Sequence, residues 1–400
     1  MTLEFVPSPN ITQLRESVTI AVSQRAKALK AEGRAIIDLG AGEPDFDTPA
    51  FIREAGKAAI DAGHTHYTPT EGILPLRAAI ADMAHGYGAL AAPIAPQDVV
   101  VSNGSKQSLF NACFCLFGHG DEVLIPTPSW TSYYEMVQLA GATPVSVLGD
   151  PANDLKVTPA MLKAAATPRT RGVMLNSPCN PTGAVYTAAE LGELLALCHA
   201  RGWWVICDEI YRRLSYEQEA PSALQVAPSL ENLVVVDGVA KAYAMTGWRV
   251  GWSIAPRAVT KAMTAFQSHA TFHTASISQH AALAALTRRD EADAAIAAML
   301  AQYRVRRDAA RQVFAAHPGL PLIRPAGAFY FYFDVSAAFP DHPEPGSAFA
   351  ARLLEEQGVA VVPGAAFQTP AWVRISYAAA ERDVVAGVTR AVGLWSDLKG

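Results

Sequence analysis

Leu233-Val234-Val235-Val236-Asp237-Gly238-Val239-Ala240-Lys241-Ala242-Tyr243-Ala244-Met245-Thr246-Gly247-Trp248-Arg249 is the stretch around which the chain is organised. Its first four residues form an apolar run of strand length, and the remainder sets a lysine and an arginine eight residues apart among small residues. Burial disfavours a charged ammonium, so a lysine in such a setting has a lowered pKa and can serve as an amine nucleophile toward a carbonyl. The arginine's planar fork suits a phosphate. A covalently held, phosphorylated aldehyde satisfies both groups; a structural ion pair is the competing reading.

Outward from this stretch, strand-like runs alternate with helical segments from Thr48 to about Ala310. The strand candidates are Val99–Ser102, Glu122–Pro126, Gly172–Asn176, Trp203–Cys207, Leu233–Asp237 and Val250–Ile254. This alternation predicts an α/β fold, a mostly parallel sheet with helices on both faces and its ligand at the carboxyl ends of the strands. Polar residues cluster at those ends. Val99–Ser102 runs into Asn103-Gly104-Ser105-Lys106-Gln107, Gly172–Leu175 into Asn176-Ser177-Pro178-Cys179-Asn180-Pro181-Thr182-Gly183, Trp203–Cys207 into Asp208-Glu209-Ile210-Tyr211, and Leu233–Val236 towards Lys241.

The 400-residue chain is half hydrophobic, enough for a large core and two domains. Its formal charge of −5 offers no basic field to a nucleic acid, so small metabolites are the expected partners. Five cysteines without CxxC spacing support neither a disulfide framework nor a zinc site, and no metal is expected. No apolar run approaches the roughly 18 residues of a membrane span, and Met1 to Thr19 holds no signal-type apolar core, so a cytoplasmic protein without a membrane partner is expected.

Residues 17–30 alternate faces at helical spacing, and a short strand, Ile36–Leu39, then enters Gly40-Ala41-Gly42-Glu43-Pro44-Asp45. Without a third glycine this is no dinucleotide fingerprint but a tight turn where bare backbone can approach a ligand. A long helix from Glu291 to about His317 leads to short strands at Ala328–Asp334, Val359–Val362 and Trp372–Ser376 mixed with two helices, an α+β pattern. The N-terminal segment is expected to pack with this C-terminal part.

At the strand ends, Asp208 comes directly after an apolar run and requires a cationic partner, unless it only caps a helix. Facing a pyridine nitrogen, it would keep that nitrogen protonated and the ring an electron sink. Tyr211, three residues on, and Asn180, in a turn-forming Asn-Pro-Thr-Gly, can face the same ligand. The amides at Gly104 and Ser105 open a helix and suit a phosphate, without the spacing of a P-loop. Trp130 can stack on a planar ring or pack in the core. Arg374 interrupts an apolar strand, as a carboxylate-binding arginine or one arm of a structural salt bridge.

Taken together, the segments 238–243 with 247–249, 176–183, 208–211, 41–46 and 373–377 resemble the class I pyridoxal-phosphate aminotransferases, in order and at family spacing from about Ser17 to Tyr377. The resemblance implies fold type I: a large domain (48–310) with a seven-stranded, mostly parallel sheet, and a smaller α+β domain formed by 1–47 and 311–400. It implies pyridoxal 5′-phosphate as cofactor, with Lys241 as Schiff-base and proton-shuttling lysine. Asp208 would pair with the pyridine nitrogen, Tyr211 and Asn180 would bond the phenolic oxygen, and Trp130 would stack on the ring. Arg249, the amides at Gly104 and Ser105, and Tyr67 reaching from a second subunit would hold the phosphate, with Lys106 alongside. Arg374, with Asn180 and the Gly42 backbone, would take the substrate α-carboxylate. A site shared in this way implies a homodimer. In one departure, Gly238 stands where some members carry a phosphate-binding serine.

Within the family the chain is similar to bacterial aspartate aminotransferases, in which the position of Lys106 reads the substrate's distal carboxylate and Ser17 and Thr19 lie near the entrance. This implies amino transfer from aspartate to 2-oxoglutarate. Arg15 stands where members that also accept prephenate carry a lysine, and Trp130, Phe272 and Phe329 could equally line a pocket for aromatic amino acids. A β-lyase using the same cofactor is an alternative chemistry. A DNA-linked effector-sensing domain is the non-enzymatic alternative, and no basic helix-turn-helix pattern precedes Thr48 to support it.

Overall fold

This computed structural model describes residues 5–8, 11–12, 14, 18–87 and 93–399. Beyond a short strand β1 (Ile37–Asp38), the chain builds one large sheet from β2 (Val99–Ser102), β3 (Glu122–Thr127), β4 (Thr143–Leu148), β5 (Thr170–Asn176), β6 (Trp204–Asp208), β7 (Leu233–Gly238) and β8 (Gly251–Ile254). Their order is β2-β8-β7-β6-β5-β3-β4. The neighbours from β7 across to β4 run parallel, while β8 is antiparallel to both β7 and β2.

Side chains alternate across a strand, and here the two alternating sets feed two cores. Leu124, Val173, Leu175, Val205, Cys207, Leu233 and Val235 face one core with the helices Leu74–His85, Ala188–Arg201 and Ser276–Thr287. Val123, Ile125, Met174, Ile206, Val234 and Val236 face the other, with the helices Ser105–Leu116, Ser132–Leu139 and Arg257–Ala270. With both faces covered, the central strands read as continuous apolar runs, which is why they were legible.

The apolar runs mark six of the seven strands that the resemblance implies and that the large sheet holds among the described residues. The additional one, β4, lies at the sheet edge and pairs only with β3. Its Thr143-Pro144-Val145-Ser146-Val147-Leu148 shows no apolar run, and Leu148 is 57% exposed. An edge strand tolerates a proline and requires only one buried face.

The C-terminal part holds β9 (Leu322–Ile323), β10 (Tyr330–Asp334), β11 (Val359–Ala360), β12 (Val362–Pro363) and β13 (Trp372–Ser376). An antiparallel sheet runs β12-β13-β10-β9, while β11 pairs in parallel with β1. The expected single strand at Val359–Val362 is therefore two strands serving different partners. Helix Val18–Ala31 adds Ala26 and Leu29 to Ile36 and Ala360, so the N-terminal segment from residue 18 packs on the C-terminal sheet. Helix Arg289–Ala315, 27 residues and so about 40 Å long, places Ala292 and Ile296 in one core and Met299, Tyr303, Ala310 and Phe314 in the next. Among the described residues, no helix is long and apolar enough to cross a membrane.

Candidate active site

A cleft of about 560 Å³ opens where β5, β6 and β7 end, walled on its other side by residues 40–43, Tyr330 and Arg374. Strand parity explains its floor. Asp208, two residues after Ile206, falls on the same face and meets helix Ser132–Leu139, whose Tyr133 hydroxyl donates to Oδ2 at 2.8 Å. The Ile210 N–H donates to Oδ1 at 3.1 Å, and the chain continues in a turn rather than a helix. Burial raises the Asp208 pKa to about 6, against the pull of Tyr133, the Ile210 amide and Lys241. The carboxylate is buried, and among the described residues no lysine or arginine forms an ion pair with it. Such a group is costly unless a cation arrives.

Lys241 lies just past β7, and its Nζ donates to the Gly42 carbonyl at 2.5 Å, with the Tyr211 ring centre 5.8 Å away. Burial draws its pKa down to about 8; Glu43, the strongest charge acting on it, and Asp208 oppose this, while Arg374 and Arg249 assist. Arg374, on β13, is 1% exposed. Its Nη1 donates to Asn180 Oδ1 and its Nη2 to the Gly40 carbonyl, both at 2.8 Å, and its guanidinium lies over Tyr330 at 4.4 Å and Phe367 at 5.1 Å. Among the described residues its Nε has no partner. Asn180 is anchored in turn: its N–H donates to Asn176 Oδ1 at 2.8 Å, and Asn176 Nδ2 donates to the Asp208 carbonyl at 2.9 Å.

At the other end of the cleft, bare backbone makes a cradle. Gly104 has φ +82°, and a Cβ there would stand 2.5 Å from Arg249 Nη2; a Cβ on Gly251 would stand 2.1 Å from the Ser105 nitrogen. The amides that open helix Ser105–Leu116 and the Arg249 guanidinium are thus drawn together as an anion site. Arg249, itself left-handed with φ 55°, donates to the carbonyls of Thr246 at 3.0 Å and Asn103 at 3.3 Å. Lys106 Nζ lies 4.7 Å over the Trp130 ring, and burial, then Arg249, lowers its pKa.

The sequence profile of aminotransferase class I and II matches residues 34–392. The chain belongs to this family. Among similar proteins, an aspartate aminotransferase of Streptomyces avermitilis is 42% identical over 98% of this chain and 97% of that protein. An aspartate/prephenate aminotransferase of Cereibacter sphaeroides is 43% identical over 94% of each. The structure of a Thermus thermophilus aspartate aminotransferase with maleate superposes at a TM-score of 0.92 with 39% identity, covering 98% of this chain and all of that one. This aminotransferase is pyridoxal-phosphate-dependent. Its residues fit that cofactor: an enclosed amine, an anion cradle that side chains at 104 and 251 would fill, and a buried carboxylate without a cationic partner of its own.

Of the residues singled out from the sequence, Gly42, Ser105, Lys106, Trp130, Asn180, Asp208, Tyr211, Lys241, Arg249 and Arg374 all border the aminotransferase cleft, and Gly104 lies behind Ser105 in the cradle. Tyr67 does not: it is 85% exposed, its ring edge-on to Phe272 and His273 at 5.3 and 5.5 Å. Phe272 sits with it, away from the cleft. Phe329, expected beside the substrate, is fully buried in an aromatic core with Tyr211 and Tyr303. The adjacent residue, Tyr330, takes the cleft instead, because neighbours along a strand face opposite ways. Arg15 and Ser17 lie outside the described residues.

Tyr133, Tyr330, Asn176 and Glu43 border the cleft without having been assigned a role, as do Ser23, Gln24 and Lys27 of helix Val18–Ala31. Asn176 carried a signal, as the last residue of an apolar strand. The others join the site through tertiary packing.

Proposed function

We propose that the enzyme moves the amino group of aspartate to 2-oxoglutarate. The observation that carries this reading is Lys106, a cation inside the same cleft as Arg374, held over Trp130 and so available to a second carboxylate. The names of the relatives support it.

Arg374 binds the α-carboxylate through its fork, with Asn180 completing the contact, and this fixes how the substrate Cα–H stands. Asp208 would hold the proton on the ring nitrogen, Tyr211 and Asn180 would bond the phenolic oxygen, and the amides that open helix Ser105–Leu116 would hold the phosphate with Arg249, the Gly104 N–H being taken by the Ser102 carbonyl at 2.7 Å. Pyridoxal phosphate, when bound, supplies an electron sink for the charge left on Cα. Lys241, whose neutral form is accessible near pH 8, would be the group that takes the proton from the substrate Cα, with the bound cofactor supplying the second proton site. We further propose a homodimer in which Tyr67 completes the partner's phosphate site, in keeping with its exposure here.

A donor panel with 2-oxoglutarate tests the assignment. Lys106→Ala should lower kcat/KM for aspartate by roughly 10- to 100-fold while changing aromatic donors less than about threefold. An unchanged aspartate value beside strong aromatic turnover would overturn it in favour of an aromatic or prephenate donor.

A further inference from the structure

We propose that Tyr330 is a positioning residue that fixes the direction of the Tyr211 hydroxyl and ties it to the carboxylate-binding Arg374. Tyr330 opens β10 and is fully buried. Two contacts and one close backbone approach meet on it. Its hydroxyl lies 2.8 Å from that of Tyr211, its ring lies 4.4 Å beneath the Arg374 guanidinium, and a Cβ on Gly42, whose carbonyl holds Lys241, would stand 3.5 Å from its oxygen.

Two hydroxyls in mutual contact share one hydrogen bond and leave one proton free. If Tyr211 is to donate into the cleft, Tyr330 must donate to the Tyr211 oxygen. A phenol that accepts a hydrogen bond is a stronger donor, because each bond polarises the next. The cation above the Tyr330 ring favours this direction: burial raises the Tyr330 pKa, and Arg374 is the largest influence drawing it back down. Register keeps the parts together, since Tyr332 of β10 stands opposite Arg374 of β13 and Tyr330 opposite Ser376. Tyr330 therefore links carboxylate binding at Arg374 to the direction in which the Tyr211 hydroxyl donates.

A stronger donor at Tyr211 stabilises the ionised phenolic oxygen of the bound cofactor and lowers the pH at which the holoenzyme's visible absorbance titrates; its loss raises that pH. Tyr330→Phe keeps the ring under Arg374 and removes only the hydroxyl. The expected result is a midpoint raised by roughly half a pH unit, with KM for the oxo acid within about twofold. A thermal melt of the holoenzyme checks that the fold is kept. In a Tyr211→Phe background the same substitution should leave the midpoint unmoved, because Tyr330 acts through Tyr211. A Y330F holoenzyme that titrates like the parent, or a shift that persists without the Tyr211 hydroxyl, overturns the proposal. The titration uses no substrate, so its outcome stands even if the amino donor is not aspartate.

Discussion

Lys241 offers a direct test of how burial sets reactivity. The amine attacks a carbonyl only when neutral, and its pKa is drawn from the ordinary 10.5 to about 8. At pH 7 this leaves about one molecule in eleven neutral, against about one in three thousand for an ordinary lysine, a gain of roughly 300-fold. Apoenzyme mixed with excess pyridoxal phosphate should therefore take it up covalently at a rate that rises about tenfold per pH unit below pH 8 and levels above it. Stopped-flow absorbance between about pH 6.5 and 9.5 reads this, above the range where the free phosphate itself titrates. Glu43→Gln sharpens the test. Glu43 is the strongest charge holding the ammonium form, so its loss should move the inflection to lower pH by a few tenths of a unit. An inflection near 10, or one that moves up in the variant, would refute the reasoning.

Tyr133→Phe removes a donor that lowers the Asp208 pKa, so the acidic limb of kcat/KM should move to higher pH by roughly half a unit or more, read from a pH-rate profile. Phe329→Leu should cost on the order of 1 kcal/mol in a thermal melt and leave KM for both substrates within about twofold, since the side chain packs in the core and not on the cleft.

The large sheet was readable because its central strands are buried on both faces and so appear as uninterrupted apolar runs; β4, with one face exposed, carried no such mark. Asp208 was readable for a related reason, as a carboxylate directly after an apolar run, whereas Asn180, in a turn four residues past β5, stood out only through its convergence with Asp208, Lys241 and Arg249. Tyr133, Tyr330 and Glu43 were not readable, because their place depends on which helix or strand packs beside which, and a tyrosine in an apolar segment looks the same in a core as at a cleft. Phe329 was misplaced by a single residue for that reason, since a short strand leaves parity open until its register with β13 is known.

The reversal of β8 has a consequence for how this enzyme can vary. The parallel run ends at β7, and the chain returns through β8 beside it, with Gly238 opposite Gly251. Lys241 and Arg249 both ride on the span between those two glycines, whose ends are pinned where a Cβ would strike the Val250 carbonyl on one side and the Ser105 nitrogen on the other. The distance between amine and guanidinium is thus a property of chain length, like the span of a buckle. Inserting or deleting one residue within 242–248 would put the phosphate site and the amine out of step without touching either side chain.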